Sequence, residues 1–206
     1  DEYDVLLIAD EIATGFGRTG RLFACERAGI TPDIMCLSKG LTGGYMPMSI
    51  TVVKEKIYEA FYADWSEGKA FMHSHTYAGN PLGCAAALAV LDILDEENIL
   101  EQAENTAAWL TERLSETFGA HPNVGEIRHI GLVHALELVE DRAEKRPFDS
   151  KRRLGYAIYR RALQHGLLLR PLGDILYFNP PLNIGRNDLE TAMERMKLSM
   201  DEVLGA

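Results

Sequence analysis

Lys39 and Asp10 are the two residues whose type and placement ask for chemistry. Lys39 closes the run "DIMCLSK" and is followed at once by Gly40, Gly43 and Gly44, where the backbone can pass close to another group. Lysine is among the residues least often buried, so an amine at the mouth of an apolar strand is either a surface charge or a nucleophile. Asp10 closes a second apolar run, "DVLLIAD". Two such strand ends, side by side at the carboxyl edge of one sheet, would set a carboxylate beside an amine. Each is costly to bury unless it is paired or put to use. A plain ion pair and a reactive pair both satisfy that pattern.

The elements that must carry these ends are legible as periodicities. Asp4–Asp10 and Asp33–Lys39 read as buried parallel strands, and Ser49–Lys54 as a third strand. The intervening "TGFGRTGRLFACERAG" reads as a glycine-rich loop and a short helix. Strands alternating with helices imply an α/β sheet with its functional residues at the carboxyl ends of the strands. Asn80-Pro81 reads as an N-cap and first-turn proline opening an alanine-rich helix that could pack closely on a sheet. Leu100, Ala103, Ala107, Leu110, Leu114 and Phe118 recur at helical spacing. Two strand-like runs follow, "VGEIRHIG" and "LVHALELV", joined at Gly131, then a polar stretch and another helix. "GLLLRPLGDILYFNPPLNI" predicts two short strands around a Leu172-Gly173 turn. Asn187 with Glu190 predicts a capping box for a last helix whose stripe of Leu189, Met193, Met196 and Met200 reads as core. The pattern divides the chain into an α/β part, residues 1–97, and an α+β part, residues 98–206.

Composition narrows the function class. The 206 residues carry a formal charge of −10, spread along the helical segments, which disfavours nucleic acid as a partner. Cys25, Cys36 and Cys84 make no disulfide framework, so a reducing cytosol is expected. No apolar run reaches membrane-spanning length, and no signal peptide is evident. His73 and His75 stand close together, but without flanking cysteine or acidic ligands they do not read as a metal site. The abrupt entry into a strand without an initiator methionine predicts the C-terminal part of a longer protein.

"ADEIATGFGRTGRLFACERAGITPDIMCLSKGLTGG" resembles the signature of class III (fold type I) aminotransferases, which use pyridoxal 5′-phosphate. The shared pieces, in order, are an Asp-Glu pair closing a strand, a Gly-Phe-Gly-Arg-Thr-Gly loop, a Pro-Asp strand start and Ser-Lys-Gly. The likeness continues through "HTYAGNPLGCAAALAVL" and "LLLRPLGDILYFNPP" and so covers essentially the whole chain. It implies that residues 1–97 are the C-terminal part of a large mixed-sheet, cofactor-binding domain and residues 98–206 a small domain. Enzymes of this kind run to roughly twice this length.

The resemblance also implies roles. Lys39 would hold the cofactor covalently and then move a proton, and Asp10 would face its pyridine nitrogen, with Ile12 pressed on the ring. Desolvation at the strand end would keep the amine partly neutral. Thr76, with His75 beside it, would reach the phosphate held by a neighbouring subunit, which makes a homodimer with shared sites. Ser74 stands where many relatives have a glycine that contacts substrate. Arg170 would grip a carboxylate and Tyr177 would line the same pocket, while Glu11 and Arg18 would hold the loop in shape. In detail, "CLSKGLTGGYMP" and "FMHSHTYAGN" are most similar to the branch acting on 8-amino-7-oxononanoate, with S-adenosyl-L-methionine as amino donor, in biotin synthesis. Another ω-amino substrate, or a non-catalytic remnant of the fold, remains an alternative.

Overall fold

A computed structural model describes residues 2–205; Asp1 and Ala206 lie outside the described residues. The chain forms two compact units, Asp1–Leu100 and Glu101–Ala206. The first holds a three-stranded mixed sheet in the order β1 (Ile8–Asp10), β2 (Ile34–Leu37), β3 (Ile50–Val53). β1 runs parallel to β2, with Asp10 opposite Cys36, and β3 runs antiparallel to β2. Around the sheet lie α1 (Ala24–Ala28), α2 (Glu55–Glu59) and α3 (Pro81–Glu96). α3 starts as its sequence predicts: Asn80 Oδ1 accepts from the Gly83 N–H at 2.7 Å, and Pro81 occupies the first turn, where its missing N–H costs nothing. Of its alanine-rich face, Ala87 joins Phe16, Leu37 and Leu41 in the unit's core.

The expectation of a buried strand over Val5–Ala9 is corrected. The strand is short, and Val5, Leu6, Leu7 and Ile8 are exposed, Val5 by 72%. β1 is the outer strand of its sheet, so among the described residues β2 is its only strand neighbour. The segment is anchored from β2 instead: Asp33 accepts the Leu7 N–H at 2.9 Å and faces Lys54 and Lys56 at 3.1 and 3.0 Å. The Leu7 N–H and the two ammonium groups hold the Asp33 carboxyl far below the usual carboxylate range.

The second unit is an antiparallel sheet, β4 (Val124–Ile130), β5 (Val133–Leu138) and β6 (Ile175–Phe178) in that order, with α4 (Ile99–Phe118), α5 (Leu154–Gln164) and α6 (Arg186–Leu204). The helical stripe is core as predicted: Leu110, Leu114 and Phe118 pack with Ile158, Leu136, Leu176, Met193 and Met196. Each such side chain contributes about 1.5–3 kcal/mol of burial, and Leu114→Ala would cost about 2–5 kcal/mol. β5 alternates cleanly, with Leu136, Leu138 and also His134 on the buried face.

Two sequence expectations fail here. Only one strand forms around the Leu172-Gly173 turn: β6 follows it, and the preceding segment contributes a single bridge, Leu172 to Ile175. Pro171 has no N–H to extend that ladder. The last helix is capped at Gly185, not by an Asn187–Glu190 box. Glu190 instead pairs with Arg113 on α4, with Nε–Oε1 at 2.7 Å. A charged partner 77 residues away outcompetes the local cap.

Candidate active site

β2 ends at Leu37, and the chain turns through Ser38 into a single 3₁₀ turn, Lys39–Thr42. Ser38 Oγ donates to the Met48 carbonyl at 2.7 Å and Thr42 Oγ1 to that of Met46 at 2.6 Å, which ties the turn to the segment leading into β3. Gly43 ends the turn at φ +59, and Lys39 begins it at φ +46. The Lys39 side chain is exposed, so the desolvation expected of a strand end is not supplied by this chain; the strand stops two residues short of the lysine. Asp10 is exposed at the end of the parallel neighbour β1, and its Oδ1 accepts the Ile12 N–H at 3.0 Å. Ile12 itself is half-buried. Asp10 and Lys39 form no ion pair, so the structural alternative left open by the sequence is not realised in this chain. The amine and the carboxylate stand at the same end of two hydrogen-bonded strands, each without the other as partner.

The signature loop acts as scaffold for this turn. A side chain at Gly40 would meet Phe16 Cβ at 2.9 Å, so Phe16 sits directly on the backbone next to the lysine. Phe16 is buried, packs edge-on against Phe23 at 5.8 Å, and adopts φ +58 to do so. Glu11, 2% exposed, holds the loop from beneath: it accepts the Cys25 N–H at 2.8 Å and the Thr14 hydroxyl. Burial acts to raise its pKa, but the Thr14, Cys25 and Ala24 donors outweigh it and lower it, so Glu11 is a buried anion committed to structure. Burial, and then the Glu11 carboxylate, push the Cys25 thiol up, which makes it a core residue and no nucleophile. The close Phe16–Gly40 approach was not foreseen, though a glycine directly after the lysine was its signal.

Ser74, His75 and Thr76 are exposed and precede α3. His75 Nδ1 accepts the Tyr77 N–H at 3.2 Å, and the Ala78 N–H donates to the His75 carbonyl at 3.0 Å. A cleft of 870 Å³ brings His75 together with Ser38, the residue before the lysine, and with Met48 and Asn80; Thr76 is not among its walls. His73 stacks on Phe71 at 5.6 Å. In the second unit Arg170 is exposed beside a cleft of 520 Å³. Tyr177, paired with Ala135 across the β5–β6 ladder, is not among that cleft's walls, so the structure does not bring these two together as the sequence suggested.

The mixed sheet thus presents an exposed aspartate at the end of β1 and an exposed lysine two residues past the end of its parallel neighbour β2. The chain belongs to the class-III aminotransferase family, which matches residues 1–200 and depends on pyridoxal phosphate. More particularly, it is 45% identical over 205 residues to the adenosylmethionine-8-amino-7-oxononanoate aminotransferase of Geobacter sulfurreducens, covering all of this chain and 45% of that relative. Among solved structures, a PMP-bound aminotransferase from Vibrio fluvialis superposes with a TM-score of 0.93 at 33% identity, over 99% of this chain and 45% of that one. A thermostable omega transaminase mutant from Pseudomonas jessenii gives a TM-score of 0.91 at 39% identity, over 98% and 45%. The fold is therefore that of class III transaminases, and the chain spans about 45% of the length of these proteins.

The residues present fit the family's cofactor. An amine not committed to the neighbouring carboxylate is what an aldehyde needs, and an exposed carboxylate one strand away, its Oδ1 engaged by the Ile12 N–H, is what a ring nitrogen needs to keep its proton. Both stand exposed on this chain, at one edge of one sheet.

Proposed function

We propose that this chain serves as the lysine-bearing half of a pyridoxal-phosphate aminotransferase that converts 8-amino-7-oxononanoate to 7,8-diaminononanoate, with S-adenosyl-L-methionine as amino donor. The observation that carries the reading is that Asp10, at the end of β1, and Lys39, two residues past the end of the parallel β2, stand exposed at one edge of the sheet without pairing with each other. The substrate assignment draws on the relatives' names.

When bound, pyridoxal phosphate supplies an electron sink for the carbon that loses its proton. Lys39 Nζ would be the amine that holds the cofactor and, when free, the base that moves the substrate's proton. Asp10 would be the carboxylate that faces the pyridine nitrogen and favours its protonated form, and Ile12 would support the ring. Lys39 is exposed in this chain, which by itself does not exclude water from the amine. Thr76, with His75 beside it, would donate to the phosphate held by a second copy, which would make the enzyme a homodimer with shared sites; Ser74 would contact substrate, and the cytosol is the proposed compartment. Arg170 binds the acceptor's carboxylate, and Tyr177, on β6, contributes to substrate binding from outside that cleft. Residues 1–97 belong to the cofactor-binding domain and residues 98–206 to the small domain.

The test is borohydride reduction of the complete enzyme with cofactor, followed by peptide mapping. A pyridoxyl adduct on Lys39, absent in Lys39→Ala together with a fall in turnover of at least about 10²–10⁴-fold, is expected; near-normal turnover in Lys39→Ala refutes the assignment. A donor panel then decides the substrate. Failure of S-adenosylmethionine would favour the second reading, an ω-aminotransferase with another donor, which the Pseudomonas jessenii likeness supports.

A further inference from the structure

The 520 Å³ cleft of the second unit is lined by two arginines, Arg153 and Arg170, with Tyr156, Tyr159, Leu168 and Pro171 among its walls. Its size is that of a small-molecule site. Elsewhere in the unit Arg113, Arg128, Arg146, Arg152 and Arg161 each face a glutamate. Neither Arg153 nor Arg170 has a carboxylate partner among the described residues. The Arg153 guanidinium instead lies 4.6 Å from the centre of the Tyr156 ring, one helical turn on, which steadies a cation without neutralising it. Asp174 also lines the cleft, but its Oδ1 accepts the Gly155 N–H at 2.9 Å.

Gly155 is what sets the two arginines beside one opening. A Cβ there would stand 2.0 Å from the Gly173 carbonyl oxygen and 3.1 Å from Pro171 Cβ. The first turn of α5 is therefore pressed backbone to backbone on the Pro171–Gly173 turn. Arg153 lies two residues before that contact and Arg170 immediately before Pro171.

Two guanidinium groups against the one carboxylate of Asp174 leave the cleft net positive on a protein of charge −10, which selects an anion, and the leucine, tyrosine and proline walls select one carried on an apolar chain. We propose that Arg153 is a second carboxylate-recognising residue: with Arg170 it binds the carboxylate of a long aliphatic acid, whose methylenes lie along Tyr156, Tyr159 and Leu168. This rests on the reading of Arg170 as the acceptor's carboxylate grip, and it makes Arg153 a specificity-determining residue for acceptors with a distal acid.

Nonanoate titrated calorimetrically into the wild-type chain, Arg153→Gln and Arg170→Gln separates the cleft from the reaction. Each variant is expected to lose about tenfold in affinity, equivalent to about 1.4 kcal/mol. In the complete enzyme Arg153→Gln should raise KM for 8-amino-7-oxononanoate about tenfold with kcat little changed, and leave KM for its methyl ester unaltered. Nonanoate affinity unchanged in Arg153→Gln overturns the proposal, as does inorganic phosphate competing as well as nonanoate. Nonanoate binding that depends on both arginines, in an enzyme that turns over no such acceptor, supports the cleft and refutes the functional reading alone.

Discussion

His134 offers a test whose sign and size follow from one buried ring. It is fully buried on the core face of β5, its Nε2 is 2.9 Å from Thr111 Oγ1, and it stacks on exposed His129 at 5.2 Å. Burial, and then the neighbouring His129, lower its pKa from 6.5 to about 4; the Leu132 and Ala107 carbonyls act the other way and do not offset them. Between those values the unfolded chain binds a proton at this position that the folded chain does not. The resulting stability is fully present above about pH 6.5 and is lost as pH falls toward about 4. The difference corresponds to about 3 kcal/mol in the order-of-magnitude sense. The assay is urea unfolding followed by Trp109 fluorescence in a Trp65→Phe background, comparing His134 with His134→Gln, which does not titrate. Trp109 packs on the second unit's core and so reports that unit. The histidine chain should lose 1–3 kcal/mol more than the glutamine chain across that window, in the order-of-magnitude sense. Parallel losses in the two would refute the reasoning.

Gly155→Ala forces a methyl onto the Gly173 carbonyl and should cost about 1–3 kcal/mol or more, read as a fall in the same Trp109 midpoint; an unchanged midpoint refutes the contact. Glu11→Gln keeps the shape of the loop's buried support but not its charge. Hydrogen exchange at the Cys25 amide should quicken roughly tenfold, the size of one weakened charge-assisted bond, and unchanged protection would assign that amide another partner. In the complete enzyme, mixing Thr76→Val with Lys39→Ala subunits should regenerate one wild-type site per mixed dimer, with activity well above either parent. Mixtures no better than the better parent rule out a site shared between subunits.

What was legible in the sequence was local. Asn80 and Pro81 announce α3 because capping acts within a few residues, and the α4 stripe announces itself because burial follows helical spacing. What failed was non-local. Val5–Ala9 has the composition of a buried strand, but residue types express a preference for cover and do not provide it. Glu190 looked like half of a capping box until Arg113, far along the chain, claimed it. The positions of Asp10 and Lys39 followed from strand ends alone, whereas the exposure of Lys39 depends on where β2 stops. Arg153 gave no signal of its own, because its place beside Arg170 is fixed by the approach of Gly155 to Gly173.

The left-handed backbone at Lys39 has a cost. A non-glycine residue at φ +46 is held at a cost of order 1–3 kcal/mol that glycine would not incur. Lys39→Gly therefore removes the amine and relaxes the turn in one step, so the fold by itself favours glycine at the position where the proposed chemistry requires lysine.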